Sequence, residues 1–403
     1  MESLIAKAKN FTEVYIYGFG ISGKWLSQQL IDSGIKVSGF VESDVKKEGF
    51  TFEGIKVQSY KKLPQDFSES LLDKHERLII NSVVDIQDLW ENLSVSPYFE
   101  QESLGIHLKG QVITNPIEDA TANYVLYSLM AVKASHTSFF DDEITFLRSV
   151  DLQITERCSM KCQDCSNLMQ YYEKPVNIFT ANLIHDLDKL LLSLDHLFEV
   201  RLIGGEPFVH PNAYELIEYC SNLNKVSYVS IFTNSTLRLS RDKLLSNSIN
   251  LEHISFQITN YGGIHERNLA YNVQILDDLG VHYRVHEPEW WTDSGTILTE
   301  PHSVVEAKRF FGNCCGKNLF TISDGKIYRC PFASNADRLN AIPKSKSNYA
   351  DLDSSAEDIL GHFGDIDYIP ACMYCKGRSW DSPIIQPAIQ TRKPLPYNKL
   401  TAQ

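Results

Sequence analysis

ITERCSMKCQDCSN, residues 154–167, is the stretch that decides the fold, because it places three cysteines in one short loop. Cys158, Cys162 and Cys165 have the spacing C-x3-C-x2-C, and they directly follow an alternating strand pattern. Three thiolates this close can hold one face of a cubic iron–sulfur cluster, which normally takes four cysteine ligands. The fourth iron is then free to bind a reacting molecule. A zinc knuckle is the alternative for this motif taken by itself.

A second motif, Leu202-Ile203-Gly204-Gly205-Glu206-Pro207, follows the next predicted strand. With the two motifs in this order on these elements, the chain resembles the radical S-adenosylmethionine (radical SAM) superfamily. Thr233-Asn234-Ser235 is similar to the Thr-Asn-Gly sequence that often ends the third strand of that family. One position departs from the family pattern, since Asp164 stands where an aromatic residue usually precedes the third cysteine.

The resemblance implies a cofactor and roles for named residues. Three cysteines would hold a [4Fe–4S] cluster whose open iron chelates S-adenosylmethionine. One electron, from a donor such as flavodoxin or ferredoxin, would then break a carbon–sulfur bond and release a 5′-deoxyadenosyl radical. The glycines would let backbone approach the methionine end of the cofactor, and the glutamate would accept from its ammonium group. The implied catalytic residues are Cys158, Cys162, Cys165 and Glu206, and the implied cofactor contacts are Gly204, Gly205, Glu206, Pro207, Ser255 and Gln257.

Alternating strand and helix patterns predict an α/β fold with parallel sheets. Strand patterns lie at 149–155, 199–203, 227–233, 253–259 and 281–286, and helix patterns lie at 180–196, 212–224, 240–247 and 264–279. This alternation predicts a central, partial (β/α)6 barrel of the TIM type. The predicted domains are a small Rossmann-like parallel sheet at 1–112, a connecting helix at 113–147, the radical SAM partial barrel at 148–305, a cysteine-rich hairpin-plus-loop domain at 306–382 and a surface tail at 383–403.

The two faces of each predicted barrel strand differ in polarity. Asp151, Gln153 and Thr155 share one face, whereas Val150 and its apolar neighbours share the other. If the apolar face packs against the helices, the polar face lines the lumen. Such a lumen suits a charged or hydroxyl-rich small molecule, although a solvated strand face is the simpler explanation for any single residue.

Further cysteines follow the barrel pattern. They are Cys314 or Cys315, then Cys330, Cys372 and Cys375, with the spacing C-x15-C-x41-C-x2-C counted from Cys314. A hairpin pattern at 319–330, turning at Asp324-Gly325, and a polar loop at 333–358 accompany them. This region resembles the twitch domain, the short relative of the SPASM domain, which implies an auxiliary [4Fe–4S] cluster. A structural zinc site with four thiolate ligands is the competing hypothesis. Cys220 fits an apolar helix face and is expected in the core.

The N-terminal region contains a glycine fingerprint. Gly18, Gly20 and Gly23 form G-x-G-x-x-G after a strand at 13–17, and a second strand at 37–41 ends at Glu42. This βαβ pattern predicts a site for a nucleotide or dinucleotide at the helix N-terminus. The run that follows is similar to small Rossmann domains attached to sugar-modifying and polysaccharide-biosynthesis enzymes, and this resemblance implies either a nucleotide-sugar site or a domain that has lost binding. A docking domain with an empty fingerprint is the alternative.

Composition narrows the class of protein. The chain has 403 residues, 43% hydrophobic content and a net charge of −13, which disfavours a nucleic-acid partner. No secretory signal or bilayer-spanning stretch is visible, so we expect a cytoplasmic protein without a membrane partner. Nine cysteines in a reducing compartment favour metal binding over disulfides.

These observations predict an enzyme that abstracts hydrogen from a polar, sugar-like small molecule, as an oxidoreductase or epimerase. A maturase acting on a ribosomally made peptide is the main enzymatic alternative. A non-catalytic zinc or iron–sulfur scaffold is the alternative from another class.

Overall fold

A computed structural model describes residues 5, 8–42, 45–59, 77–81, 144–246, 248–364, 366–378 and 382–400. The chain forms two compact units, Met1–Ile144 and Thr145–Gln403. Most of the predicted connecting helix, 113–143, lies outside the described residues. The finer domain boundaries stay predictions. No helix among the described residues is long and apolar enough to cross a membrane.

The first unit contains a five-stranded sheet. Its strands are β1 Glu13–Tyr17, β2 Val37–Glu42, β3 Thr51–Phe52, β4 Ile55–Ser59 and β5 Arg77–Asn81, in the order β3-β4-β2-β1-β5. All neighbours are parallel except the short β3–β4 hairpin, which the sequence did not predict. Helix α1, Ile21–Asp32, connects β1 to β2 and buries Leu26 and Leu30 with Ile16 and Phe40. Gly18 and Gly20 therefore lie between a strand and a helix, as predicted, whereas Gly23 lies in the first turn of the helix, which begins earlier than expected.

The second unit contains an eight-stranded sheet. Five consecutive parallel strands form most of it: β6 Phe146–Thr155, β7 His196–Gly204, β8 Val226–Thr233, β9 Ile254–Thr259 and β10 His282–His286. The helices between them are α2 Thr180–Leu192, α3 Ala213–Ser221, α4 Arg241–Ser246 and α5 Leu269–Leu279. The chain is therefore mixed α/β with parallel sheets, and the closure of this sheet into a partial barrel stays a prediction.

The strand polarity predicted from sequence is visible in the packing. Val150, Leu152 and Ile154 are completely buried in one core with Leu187 and Leu190 of α2. Their alternating neighbours on β6 face away from this core, because successive side chains of a strand point to opposite sides. Cys220 is buried in the same core, as expected.

A hairpin extends this sheet at the β6 edge. A short strand β11, Trp291–Thr292, and helix α6, Val304–Gly312, precede the hairpin, which is formed by β12 Thr321–Ser323 and β13 Lys326–Tyr328. Asp324 and Gly325 have φ values of 53° and 71°, which is the left-handed geometry that a two-residue hairpin turn requires. Strand β12 pairs in parallel with β6, an attachment that the sequence did not predict.

The polar loop predicted at 333–358 is wrong. Helix α7, Pro331–Arg338, occupies its start, and β14 Tyr349–Asp351 pairs with β13 further along. The helix begins there because Cys330 is its N-cap and Pro331 takes the first helical position, where proline is tolerated. Helix α8, Ala356–Gly361, follows.

The predicted surface tail packs on the body of the second unit. Strand β15, Ile384–Ile385, pairs antiparallel with β11. Further along, the Leu395 N–H donates to the Gln170 carbonyl at 2.9 Å, and the Tyr397 hydroxyl donates to the Leu339 carbonyl at 3.0 Å. These contacts attach the C-terminal segment to the second unit, although its composition alone predicts a solvent-exposed tail.

Candidate functional site

The three cysteines of the 158–165 loop line one cavity of about 360 Å³. The carboxyl ends of parallel strands meet at one edge of a sheet, and loops from these ends build the cavity wall. Among the other lining residues are Asp151, Arg201, Gly204, Gly205, Asn234, Thr259, Tyr261, Trp291 and Arg378. The structure therefore brings the cysteine motif and the Gly-Gly motif to one site.

The two glycines let the second loop pack directly against the cysteine loop. A Cβ atom on Gly205 would lie 2.0 Å from the Arg157 carbonyl oxygen, and one on Gly204 would lie 2.2 Å from that of Thr155. Backbone hydrogen bonds join the loops here, from Gly205 N–H to the Thr155 carbonyl and from Glu206 N–H to the Arg157 carbonyl, both at 2.9 Å. The sequence predicted that the two glycines let backbone approach a cofactor closely. The structure shows that they also let the backbones of the two loops approach each other.

Glu206 is completely buried beneath the cavity and is not among its lining residues. Its carboxylate accepts from the Thr233 hydroxyl at 2.7 Å, the Asn234 N–H at 2.8 Å and the Phe208 N–H at 3.3 Å. Burial raises the pKa of this carboxyl to about 7, and the hydrogen bonds oppose the rise. The residue thus ties the Gly-Gly loop to the end of β8, and its contact with the cofactor stays a prediction.

The cysteine sulfurs accept hydrogen bonds from nearby amides. Cys158 Sγ accepts from the Met160 N–H at 3.5 Å and from Asn234 Nδ2 at 3.6 Å, and Cys162 Sγ accepts from Gln390 Nε2 at 3.2 Å. Burial raises the pKa of Cys162 to about 11 and that of Cys158 further still. These thiols therefore ionise when a metal replaces the proton. Three thiols in one loop, two of them with amide donors directed at sulfur, fit a cluster with three protein ligands.

Asp151 and Arg201 bring charge into the same cavity. The Arg201 guanidinium forms an ion pair with Asp151 Oδ1, and Asp151 is 1% exposed. Its other oxygen, Oδ2, is buried without a hydrogen-bond partner. Burial raises the Asp151 pKa to about 6, against the lowering effect of Arg201. The other two polar residues of this strand face are already bonded, Gln153 to Asn335 and Thr155 to Asn177.

A second cavity is lined by the four cysteines predicted to form the auxiliary site, Cys314, Cys330, Cys372 and Cys375. Its wall is otherwise largely apolar, with Phe310, Phe311, Phe332 and Ile369, and two basic residues, Lys317 and Arg329, complete it. Backbone N–H groups donate to three of the sulfurs, from Gly316 to Cys314, from Ala333 to Cys330 and from Gly377 to Cys375. Four thiols around one cavity fit a fully ligated cluster by the chemistry of their donors.

Cys314 rather than Cys315 faces this second cavity, a choice that the sequence left open. Cys315 is exposed and does not line the cavity. Its backbone N–H donates to the Arg378 carbonyl at 2.9 Å, which holds its side chain on the outside. Within the described ranges, no group of three or more His, Cys, Asp or Glu residues is arranged to hold a single metal ion.

Several cofactor contacts implied by the resemblance lie away from the first cavity. Thr259 lines it, whereas Ser255 and Gln257 of the same strand face do not, and Ser255 lies within hydrogen-bond distance of Ser230 at 3.2 Å. Their contact with the cofactor stays a prediction, as does that of Pro207. Tyr261, Trp291 and Arg378 were missed, because none belongs to a motif: Tyr261 and Arg378 lie in loops, and Trp291 lies on the two-residue strand β11.

The acidic residue next to the glycine fingerprint of the first unit is already bonded to other groups of the protein. Gly20 is the N-cap of α1, and Gly18 has a φ of 101°. Glu42 Oε2 accepts from the Phe19 N–H at 3.0 Å and forms an ion pair with Lys47 at 2.9 Å. The carboxylate at the end of the second strand is thus engaged within the protein, and nucleotide binding stays a prediction.

Comparison with known proteins finds a family model and several relatives that match part of the chain. Residues 151–259 match the family model of the 4Fe-4S single cluster domain. GTP 3′,8-cyclase from Microcystis aeruginosa is 29% identical over 98 residues, covering 24% of this chain and 29% of that protein. The antilisterial bacteriocin subtilosin biosynthesis protein AlbA from Bacillus subtilis is 34% identical over 91 residues, covering 21% and 18%. The matches span less than a third of the length of these relatives.

Solved structures with similarity to the chain include BtrN in complex with AdoMet and 2-DOIA, at 13% identity and a TM-score of 0.36. The alignment covers 57% of this chain and 92% of BtrN. Native anSMEcpe with bound AdoMet aligns at 14% identity and a TM-score of 0.35, covering 53% and 80%. Residues 151–259 contain both motifs that line the first cavity, and this region is similar to a 4Fe-4S single cluster domain, in agreement with the resemblance to radical SAM enzymes.

Proposed function

We propose that this protein reductively cleaves S-adenosylmethionine and abstracts a hydrogen atom from a polar small molecule, a sugar or a nucleotide sugar, in a dehydrogenation or an epimerisation. One observation carries the proposal: the three cysteines, the Gly-Gly loop and the Asp151–Arg201 pair all line a single cavity. A cofactor held by the cysteines and a substrate held by the charged pair would meet there.

The residues around the cysteines would hold and orient the cofactors. Cys158, Cys162 and Cys165 would ligate a [4Fe–4S] cluster and leave its fourth iron to S-adenosylmethionine. When bound, the cluster supplies the electron that splits the cofactor into methionine and a 5′-deoxyadenosyl radical. The Gly-Gly loop would present backbone to the cofactor, and Glu206 would keep that loop in place through Thr233 and Asn234.

Asp151 supports the polar substrate. A buried carboxylate oxygen without a partner is costly, and a hydroxyl or amino group in the cavity would satisfy it. Arg201 would hold Asp151 in position through the ion pair on its other oxygen. An apolar substrate would leave Asp151 Oδ2 unsatisfied, so the cavity favours a ligand rich in hydrogen-bond donors.

The four-cysteine cavity supports an auxiliary cluster in a twitch-like domain. Cys314, Cys330, Cys372 and Cys375 would ligate it fully, which suits electron transfer because no coordination position is left for a ligand. Its role would be to accept an electron from the substrate radical in a dehydrogenation. Zinc bound by the same four thiols is the competing hypothesis. Against it, these four thiols are not among any described group of three or more residues arranged to hold a single metal ion.

Anaerobic purification tests the cofactor part of the proposal. Two clusters predict about eight irons per chain, a brown protein and release of 5′-deoxyadenosine under strong reductant. A colourless protein that contains zinc and no iron would instead establish a non-catalytic scaffold. Calorimetric titration with a panel of nucleotide sugars tests the substrate part, and absence of binding throughout the panel would count against it.

A peptide maturase is the second candidate, because AlbA is named as a bacteriocin biosynthesis protein and is 34% identical over 91 residues. Neighbouring genes discriminate between the two. A short precursor peptide favours the maturase, whereas polysaccharide genes favour the sugar enzyme.

A further inference from the structure

The C-terminal segment, residues 382–400, pairs with the cysteine loop itself. Cys162 and Gln390 form an isolated antiparallel bridge. Gln163 N–H donates to the Ile389 carbonyl, and Thr391 N–H donates to the Lys161 carbonyl, both at 2.7 Å. Two backbone bonds thus fix the centre of the loop that carries all three predicted cluster ligands.

The Gln390 side chain completes this contact. Its Oε1 accepts from the Lys161 N–H at 2.7 Å, and its Nε2 donates to Cys162 Sγ at 3.2 Å and to the Ala388 carbonyl at 2.7 Å. A backbone N–H can only donate, so the amide oxygen must face Lys161 and the NH2 group must face the sulfur. The orientation of the donor toward sulfur is therefore set by the chain.

We propose that Gln390 is a positioning residue for the cluster site. It holds the 158–165 loop in place, and it raises the reduction potential of the cluster by donating a hydrogen bond to Cys162. The proposal rests on the proposed function, since it requires a cluster on the three cysteines. Reduction adds negative charge to a cluster, and a donor at sulfur stabilises the reduced form more than the oxidised form. Removing the donor should shift the potential to a more negative value.

The test is a potentiometric titration of the holoprotein, followed by electron paramagnetic resonance. Addition of S-adenosylmethionine identifies the signal of the three-cysteine cluster, because only an iron without a protein ligand can bind this compound. The signal that changes on its addition is called the marked signal. We expect Gln390→Leu to shift the potential of this signal to a more negative value. We also expect this variant to lose iron to a chelator several-fold faster, since Lys161 N–H loses its acceptor.

Gln390→Glu separates the two effects. It keeps an oxygen for Lys161 but places a carboxylate oxygen at the sulfur, so we expect the most negative potential with little change in iron loss. Gln386, an exposed glutamine of the same segment, supplies matched controls. Gln386→Leu should behave as wild type, and Gln386→Glu measures the effect of the added charge alone. If Gln390→Leu does not retain its cluster, the difference in reduction potential between Gln390→Glu and Gln386→Glu tests the proposal instead.

Two results would overturn the proposal, and they are distinguishable. A marked signal whose potential is the same in wild type, Gln390→Leu and Gln390→Glu would refute the role of Gln390 and leave the proposed function intact. A wild-type protein with no signal that responds to S-adenosylmethionine would refute both.

Discussion

The two cysteine-lined cavities differ in ligand number and in surroundings. The first has three cysteines from a single loop, and its wall includes the Asp151–Arg201 pair and Thr259. The second has four cysteines from separate parts of the chain, enclosed by three phenylalanines and an isoleucine. Amide groups donate to sulfur in both.

If each cavity holds a cluster, this difference predicts that the two clusters have different roles. A cluster with three protein ligands and a polar cavity beside it is suited to binding and cleaving a cofactor. A cluster with four protein ligands in an apolar pocket is suited to exchanging electrons, because solvent and ligands are excluded from its irons. The predictions below test whether the two sites are as distinct as their linings suggest.

Loss of the first site should have the largest effect. We expect the triple variant Cys158→Ala, Cys162→Ala, Cys165→Ala to release no 5′-deoxyadenosine above a protein-free control under strong reductant. The variant should retain about half of the iron, in the second site. Chromatography of the product and iron analysis measure these outcomes. Release at the wild-type rate would contradict the assignment of the first site.

The second site should respond to one cysteine and not to its neighbour. We expect Cys314→Ala to lose about half of the iron while it still releases 5′-deoxyadenosine in the absence of substrate. Cys315→Ala is the matched control, because this thiol is exposed, and it should keep its full iron content. Loss of iron from the Cys315 variant alone would reverse the choice between the adjacent cysteines.

Packing between the Gly-Gly loop and the cysteine loop gives an intermediate effect. We expect Gly205→Ala to destabilise the protein by about 3 kcal/mol, the cost of forcing a methyl group into a filled space. The new Cβ would lie 2.0 Å from the Arg157 carbonyl oxygen. Chemical denaturation measures this cost. Gly361→Ala is the control, since no atom lies within 4 Å of its Cβ position. Equal stability of both variants would contradict the packing.

The charged floor of the first cavity predicts a small pH effect. The Asp151 pKa is raised to about 6 in the folded protein, above its usual value of about 4 in an unfolded chain. The folded state therefore binds more protons between these values, and the contribution of Asp151 to the free energy of unfolding falls as the pH rises through that window. Asp151→Asn cannot titrate and should lack this decline. Denaturation at several pH values in this range measures the free energy of unfolding of both proteins. The same dependence on pH in both would contradict the prediction.

The sequence predicted the parallel strands of the second unit and the grouping of the three cysteines for a local reason. The strands at 146–155 and 226–233 follow from alternating polarity, and the three cysteines are neighbours along the chain. The loop predicted at 333–358 was wrong because its polar side chains are satisfied by tertiary partners. Asn335, for example, accepts from Gln153 and Tyr172 and is completely buried.

By itself the sequence predicted the resemblance to radical SAM enzymes and the grouping of Cys158, Cys162 and Cys165, since three cysteines of one short loop are neighbours before the chain folds. Only the tertiary structure decided that Cys314, and not Cys315, faces the second cavity, because those four thiols are distant in sequence and meet through packing. It also decided that Asp151 pairs with Arg201 and that Gln390 contacts Cys162. Contacts between distant residues depend on strand order and loop paths, which local patterns do not encode.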